Sequence, residues 1–154
     1  MSSPRLLHGR NSRIGALYAV TTVVLNRQSM FTQHGCACAV AGELARIETE
    51  GRARNLAWVV MPDHVHWLFE LRTDDLSRCV QAFKSRSARA VNLVRGTSGT
   101  VWQAGFYDHC LRGDEDLIGQ ARYIVCNPLR SGLVDALADH PYWYCPWIST
   151  EADL

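Results

Sequence analysis

Two histidines stand two residues apart inside an apolar segment, where His64 and His66 flank Val65. Side chains alternate between the two faces of a β-strand, so residues i and i+2 share one face. Two imidazoles side by side on one face of a sheet can bind one divalent metal ion, which would act as a Lewis acid and as a template for a phosphate. Taken alone, however, such a pair is more often two half-buried strand histidines that are satisfied by hydrogen bonds.

A tyrosine and an amide form the second group that could do chemistry. Tyr123 and Asn127 occur in the run Tyr-Ile-Val-Cys-Asn-Pro, and residues at i and i+4 share one face of a helix. A phenol has a pKa of about 10, so at neutral pH it attacks a phosphodiester only with help from a metal ion or a base. Together, the two groups are compatible with metal-assisted cleavage of a phosphodiester by tyrosine.

Other residues compete for the same roles. Tyr18 and Tyr107, on predicted strands, are alternative nucleophiles, and Asp108 and His109 are alternative metal ligands. We favour His109 as a structural group or a phosphate contact. A single tyrosine on a helix is more often an ordinary core or surface aromatic, so residue types alone do not select the nucleophile.

Positive charge is concentrated in two stretches of the chain. Residues 1–42 contain four arginines and no acid, and residues 72–95 contain six cations against two acids. Residues 114–154 reverse the sign, with seven acids against two arginines. The net charge of +1 does not by itself indicate a nucleic-acid binder, but this segregation favours phosphate contacts, for which arginine is well suited. The candidate phosphate contacts are Arg10, Arg13, Lys84, Arg86 and Arg89, and the candidates for base stacking are Trp102 and Tyr107.

The hydrophobic pattern predicts the elements that would position these groups. Strand patterns cover 14–24, 56–60, 64–71 and 101–102 with 106–111, and helical patterns cover 31–50, 75–95 and 114–131. The order β-α-β-β-α-β with a final, tyrosine-bearing helix is the split βαβ, ferredoxin-like arrangement. We therefore expect an α+β fold with a central antiparallel sheet. A chain of 154 residues is most simply one domain, with a basic arm at about 1–13 and a tail at about 135–154.

Cysteine usage and hydropathy indicate the compartment. The six cysteines include no Cys-x-x-Cys pair, and most fall in segments with a packed-element pattern, so we expect free thiols rather than disulfides or a zinc site. The chain has no signal-peptide pattern, and its apolar runs are shorter than the ~18 residues that a membrane span needs. The sequence therefore predicts a cytoplasmic protein with no membrane association.

The order and spacing of these segments resemble the single-tyrosine HUH endonucleases, and more closely the REP-associated tyrosine transposases. The resemblance covers most of the chain, with matching segments at 9–13, 18–21, 64–66, 83–85, 102–109, 111–112, 115–117 and 123–134. It implies that Tyr123 is the catalytic nucleophile and that Lys84 occupies the position of a recurrent lysine. It also implies that a divalent metal ion, Mg²⁺ or Mn²⁺, is bound by His64, His66 and Asn127.

The function implied by the resemblance is that of a metal-dependent endonuclease and strand transferase, a transposase that acts on single-stranded DNA through a 5′-phosphotyrosine intermediate. The substrates would be hairpins formed by repetitive extragenic palindromes with a flanking single strand, and relatives act as monomers or as homodimers. One alternative is a hairpin-binding protein, derived from a transposase, that does no chemistry. The presence of His64, His66, Tyr123 and Asn127 together disfavours it. Another is a metal-dependent enzyme of unrelated chemistry on the same fold, which would not need the tyrosine helix.

Overall fold

The computed structural model describes residues 12–154, so Arg10 lies outside the described residues. Within this range the strands are β1 (Leu17–Val23), β2 (Ala53–Met61), β3 (His64–Leu71), β4 (Tyr107–Cys110) and β5 (Trp143–Tyr144). The helices are α1 (His34–Thr49), α2 (Leu76–Arg95), α3 (Leu117–Val125) and α4 (Asn127–Arg130). Short 3₁₀ turns occur at Leu25–Arg27, Met30–Thr32, Leu137–Asp139 and Glu151–Asp153. None of the helices in this range is both long and apolar enough to cross a membrane.

The described strands form one sheet in the order β4-β1-β3-β2-β5, and every pairing is antiparallel. The first four strands in this order, with α1 and α2 as connections, are the arrangement that a β-α-β-β-α-β chain adopts in the ferredoxin-like fold. The α+β prediction is therefore confirmed. β2 and β3 are joined directly through Pro62 and Asp63, as the proline-led turn in the sequence predicts.

Helices cover both faces of the sheet. α1 and α2 pack on one face, against a cluster that includes Val65, Trp67 and Phe69 of β3. α3 and the tail pack on the other face, in a cluster that includes Leu68 of β3. Because side chains alternate along β3, His64 and His66 belong to the α3 face.

The predicted third helix is shorter than expected and is interrupted. Asp116 caps its start by accepting a hydrogen bond from the Gly119 N–H at 2.9 Å, and α3 ends at Val125. The helix is interrupted at Cys126, which has φ −78° and ψ −2°, and the four-residue α4 follows. Pro128 has no N–H to donate to the preceding turn, so one backbone hydrogen bond of a continuous helix is missing here. The helix predicted over 114–131 is therefore present as two shorter segments, Leu117–Val125 and Asn127–Arg130.

The tail contributes a fifth strand that the sequence pattern did not predict. Trp143 pairs with Val59 of β2, and the Val60 N–H donates to the Tyr142 carbonyl at 2.9 Å. Buried His140 forms a further hydrogen bond, between its Nε2 and the Val60 carbonyl oxygen at 2.9 Å. These contacts cover the edge of β2, which would otherwise present unpaired backbone groups.

Candidate active site

The histidine pair lies on one face of β3, as the alternation predicts. The rings of His64 and His66 have centroids 4.8 Å apart and meet edge to face at 84°. Each ring is held through Nδ1, because His64 Nδ1 lies 2.7 Å from Asp63 Oδ1 and His66 Nδ1 lies 3.0 Å from Thr21 Oγ1. Thr21 is the register partner of His66 on β1. These contacts leave the Nε2 atoms of both rings as the nitrogens that a metal ion can bind.

Electrostatics keep His66 neutral. Burial, and then the positive charges of His64 and Arg130, lower the pKa of His66 to about 4. At neutral pH the ring therefore carries no charge, which is the state in which imidazole binds metal. Burial also raises the pKa of Asp63, but hydrogen bonds and charge from His64 and Arg27 outweigh it, so the net pKa is lowered and the carboxylate is ionised.

Tyr123 projects from the tyrosine helix α3 and is 58% exposed. Buried Ile124 and Val125 hold this helix on the sheet, and a fully buried side chain of this kind contributes roughly 1.5–3 kcal/mol. The guanidinium of Arg130 lies over the Tyr123 ring, and its Nη1 donates to the Tyr123 carbonyl oxygen. The candidate nucleophile is therefore open to a ligand while its ring is covered on one side by a cation.

A cleft with a volume of about 720 Å³ brings much of this chemistry together. Tyr123 and His66 both line it, so the sequence pattern identified two groups that the fold places on one cavity. Tyr107 and His109 enter the same cavity from β4, whose register pairs them with Thr21 and Ala19. The remaining lining residues are Ala19, Val20, Thr21, Val23, Arg27, Asp108, Gln120 and Ile124. Of the alternatives, Tyr107, Asp108 and His109 therefore lie in this cavity too, whereas Tyr18 is buried in the core on the other face of the sheet and accepts a hydrogen bond from the Arg13 N–H.

Two predicted metal ligands are not among the residues that line the cleft. His64 is next to it through its ring contact with His66, whereas half-buried Asn127 begins α4 one turn beyond Tyr123. Among residues 12–154, no group of three or more His, Cys, Asp or Glu side chains is placed to hold a metal ion. The role of Asn127 as a ligand stays a prediction.

His109 and Asp108 differ in their surroundings. His109 Nε2 lies 2.8 Å from Glu115 Oε2, and Glu115 also accepts a hydrogen bond from the Arg112 N–H at 2.8 Å. This network ties the end of β4 to the start of the tyrosine helix, so His109 has a structural partner. Burial raises the pKa of the Asp108 carboxyl, and the nearby His109 opposes that change.

The basic helix α2 packs on the opposite face of the sheet from the histidine pair, and two of the phosphate contacts predicted on it, Lys84 and Arg86, have protein partners. Lys84 donates through Nζ to the carbonyl oxygens of Gln103 at 2.9 Å and Gly105 at 2.7 Å. Arg86 forms an ion pair with Glu50. The phosphate contacts predicted for both residues stay predictions. These two side chains anchor neighbouring segments, because each meets an acceptor that only the folded chain brings near.

Arg89 and Arg13 are exposed, so their predicted phosphate contacts remain compatible with the structure. Trp102 was predicted to stack on bases, but it is only 5% exposed, and its Nε1 donates to Ser87 Oγ at 3.0 Å. Its ring packs between those of Phe31 and Phe83. Trp102 is therefore a core residue in this structure, and Tyr107 is the aromatic candidate that reaches the cleft.

Sequence reasoning missed four residues of this site. Asp63 directly precedes the first histidine, and Arg130 lies one turn beyond Asn127, so both could have been suspected from spacing. Thr21 and Arg27 reach the site from β1 and the turn after it, and only the sheet register brings them there.

Comparison with known proteins identifies the family and the fold of the chain. The family model described as "Transposase IS200 like" matches residues 13–125. A REP-associated tyrosine transposase of Escherichia coli K12 is 32% identical over 88 residues, which cover 56% of this chain and 50% of that protein. A putative REP-associated tyrosine transposase of Haemophilus influenzae Rd is 29% identical over 98 residues, or 56% of each chain. The chain thus spans about half the length of the curated relatives it matches.

Two solved structures share the fold. One is a REP-associated tyrosine transposase bound to a REP hairpin, with a TM-score of 0.68 and 25% identity over 93% of this chain and 82% of that one. The other is a putative transposase of Deinococcus radiodurans R1, with a TM-score of 0.55 and 22% identity over 82% of this chain and 97% of that one. The second likeness concerns the fold alone.

Proposed function

The chain belongs to the IS200-like transposase family, and on that premise we propose that it is a metal-dependent endonuclease and strand transferase of single-stranded DNA. The observation that carries the proposal is the single cleft that Tyr123 and His66 both line. Cleavage of a phosphodiester by a phenol requires a nucleophile and a charge-neutralising group to reach the same phosphate. The cleft is where this chain supplies both.

The donor set suits a divalent cation. His64 and His66 have their Nδ1 atoms engaged by Asp63 and Thr21, an arrangement that orients metal-binding imidazoles. We propose Asn127 as the third protein ligand and Mg²⁺ or Mn²⁺ as the ion, with imidazole nitrogen favouring Mn²⁺ in intrinsic affinity. When bound, the ion supplies Lewis-acid stabilisation of the phosphate charge.

In the proposed reaction, the Tyr123 hydroxyl oxygen attacks phosphorus, and the bond between phosphorus and the 3′ oxygen breaks. The phenol loses its proton, the departing 3′ oxygen gains one, and the protein stays attached, as a phosphotyrosine, to the 5′ phosphate of the fragment downstream of the break. Strand transfer is the reverse step with a different 3′-OH as the attacking group. Arg130 supplies positive charge next to the attacking residue, where negative charge develops on the phosphate.

The proposed substrates are hairpins of REP-like palindromes with a flanking single strand. The similar solved transposase is bound to a REP hairpin, which supports this choice. A single-stranded flank can bring its phosphate to Tyr123 directly, whereas a duplex must first separate at a cost of ~1.4 kcal/mol per base-pair step. The protein would act as a monomer or as a homodimer.

A hairpin-binding protein without catalysis is the second candidate. The observation that favours it is that Asn127 does not line the cleft that holds Tyr123 and His66. The two candidates make the same prediction for hairpin binding and opposite predictions for a covalent product.

The deciding experiment is incubation of the protein with 5′- or 3′-labelled hairpin DNA and Mn²⁺ or Mg²⁺, followed by denaturing electrophoresis. We expect a covalent adduct to the 5′ phosphate created at the break, which carries the 3′ label, in the wild type and in the matched control Tyr107→Phe. Tyr123→Phe should bind the hairpin and form no adduct. An adduct with Tyr123→Phe but not with Tyr107→Phe would assign the nucleophile to Tyr107. Hairpin binding without any adduct in the wild type would favour the second candidate.

A further inference from the structure

Asp63 connects the histidine pair to a cation of the neighbouring turn. Its Oδ1 lies 2.7 Å from His64 Nδ1, and its Oδ2 lies 3.3 Å from Arg27 Nη1. The Asp63 side chain is 23% exposed and the His64 side chain 18%, so the contact between them is largely shielded from water. Both carboxylate oxygens therefore have a defined partner, and the carboxylate cannot rotate freely.

The backbone holds Asp63 in this position from two sides. The Val24 N–H donates to the Asp63 carbonyl at 2.8 Å, and the Phe31 N–H donates to the Pro62 carbonyl at 3.0 Å. Between them, Asn26 and Arg27 adopt left-handed φ values of 56° and 51°, which non-glycine residues seldom do. This turn places the Arg27 side chain next to Asp63. The disfavoured left-handed backbone conformation therefore occurs where it allows the contact between Arg27 and Asp63.

An ionised carboxylate can only accept hydrogen bonds, so the contact with Asp63 requires a proton on His64 Nδ1. A neutral imidazole has one N–H, and its Nε2 is then an unprotonated acceptor. Without a partner, the proton is free to move to Nε2, where it would block metal binding. The identity of the residue at position 63 thus decides which nitrogen of His64 is available.

We propose that Asp63, restrained by Arg27, is a positioning residue that fixes His64 in the Nδ1–H tautomer and so keeps Nε2 available as a metal ligand. Thr21 has the corresponding contact with His66, but a hydroxyl can donate or accept and so does not fix a tautomer. Asp63 thus fixes the tautomer of His64, whereas Thr21 does not fix that of His66. The inference deepens the proposed function and rests on it for the identity of the ligand, while its first test does not require DNA or metal.

The first test is long-range ¹H–¹⁵N correlation NMR of the metal-free protein labelled at histidine, at a pH where imidazoles are neutral. We expect His64 to be the Nδ1–H tautomer in the wild type and in Asp63→Asn, whose amide oxygen also accepts. In Asp63→Ala the Nε2–H tautomer should become the major form of His64, with His66 unchanged. The matched control Asp135→Ala, which replaces an exposed carboxylate, should leave both rings unchanged. An Nδ1–H tautomer that persists in Asp63→Ala would overturn the proposal.

The second test measures Mn²⁺ affinity in solution from the free-ion signal in electron paramagnetic resonance. Loss of a group that orients a metal-binding histidine costs about 10–100-fold in affinity, so Asp63→Ala should bind at least about tenfold more weakly than Asp135→Ala. Asp63→Asn should restore most of that loss. Equal affinities for the two alanine variants would also overturn the proposal. If the wild type binds no Mn²⁺ but the His64 tautomer changes in Asp63→Ala, metal dependence would be refuted and the positioning role of Asp63 would be supported.

Discussion

The guanidinium of Arg130 lies over the ring of Tyr123, with its Cζ 3.6 Å from the ring centroid, and its Nη1 donates to the Tyr123 carbonyl oxygen at 2.9 Å. Arg130 is the last residue of α4, seven residues beyond Tyr123, and its long side chain extends back to the end of α3. The positive charge also reaches His66, whose pKa it helps to lower. One arginine thus acts on the candidate nucleophile and on the candidate metal ligand.

Replacing Arg130 with glutamine should slow formation of the covalent adduct. The substitution removes positive charge next to the attacked phosphate but touches no buried side chain, so the folding free energy should change by no more than about 1 kcal/mol. We expect the single-turnover rate to fall at least about tenfold, which corresponds to ~1.4 kcal/mol in the barrier. Arg130→Lys keeps the charge and loses the planar contact with the ring. An unchanged rate in both variants would rule out a role for Arg130 in the reaction.

Variants of Lys84 and Arg89 can distinguish a structural role from a DNA contact on helix α2. Lys84→Ala removes two hydrogen bonds from a charged donor, each worth ~1.5–3 kcal/mol, and should clearly lower the denaturant midpoint. Exposed Arg89→Ala should change stability by less than about 0.5 kcal/mol. If α2 contacts DNA through Arg89, that variant should flatten the salt dependence of hairpin binding by about one ion, while Lys84→Ala leaves the slope unchanged. A salt slope that falls in Lys84→Ala and stays unchanged in Arg89→Ala would support Lys84 as a phosphate contact.

The sequence predicted the fold better than it predicted the surroundings of individual side chains. Alternation along β3 is a local property, and it correctly placed His64 and His66 on one face. Trp102 could not be assigned in this way, because its partner Ser87 lies on another element and only packing brings them together. The anchoring contacts of Lys84 were missed for the same reason, since its acceptors belong to a distant loop, and its phosphate contact stays a prediction. The helix break before Pro128 was available from the sequence, because proline cannot donate to the preceding turn.

His140 should make the stability of the tail depend on pH. Burial lowers the pKa of His140, although its hydrogen bond with the Val60 carbonyl raises it, so the folded protein holds this ring neutral. In the unfolded chain the pKa is about 6.5, so the unfolded state binds more protons at acidic pH. The contribution of neutral His140 to the free energy of unfolding is therefore complete above about pH 6.5 and is lost as the pH falls below that value.

The test of this pH dependence is urea unfolding of the metal-free protein between about pH 5 and pH 8. His140→Gln can still donate to the Val60 carbonyl but does not titrate, so its unfolding free energy should fall less on acidification than that of the wild type. His66 contributes in the same direction in both proteins, because its folded pKa is also lowered, so only the difference between them reports His140. If the unfolding free energies of the wild type and His140→Gln fall equally with pH, His140 is not a source of the pH dependence.

Hairpin recognition should depend on an unpaired flank that reaches the cleft. The net charge of +1 gives little diffuse attraction for DNA, so affinity should come from a shaped substrate and a few local contacts. Arg27, which lines the cleft and is 66% exposed, is the cation best placed to meet a flank phosphate near His66 and Tyr123. Binding should rank a hairpin with a single-stranded flank above a plain single strand, and both above a blunt duplex.

Gel-shift titrations at several salt concentrations test this order with the wild type, Arg27→Gln and, as a control on the opposite face, Arg46→Gln of α1, an exposed arginine with no predicted DNA contact. Because counterion release scales with the phosphates contacted, Arg27→Gln should reduce the salt slope by about one ion for the flanked hairpin only. A hairpin that lacks the flank should bind the wild type and Arg27→Gln equally, since its phosphates do not enter the cleft. Equal affinity for duplex and flanked hairpin would refute the substrate proposal, whereas an adduct formed on plain single-stranded DNA would still support Tyr123 as the nucleophile.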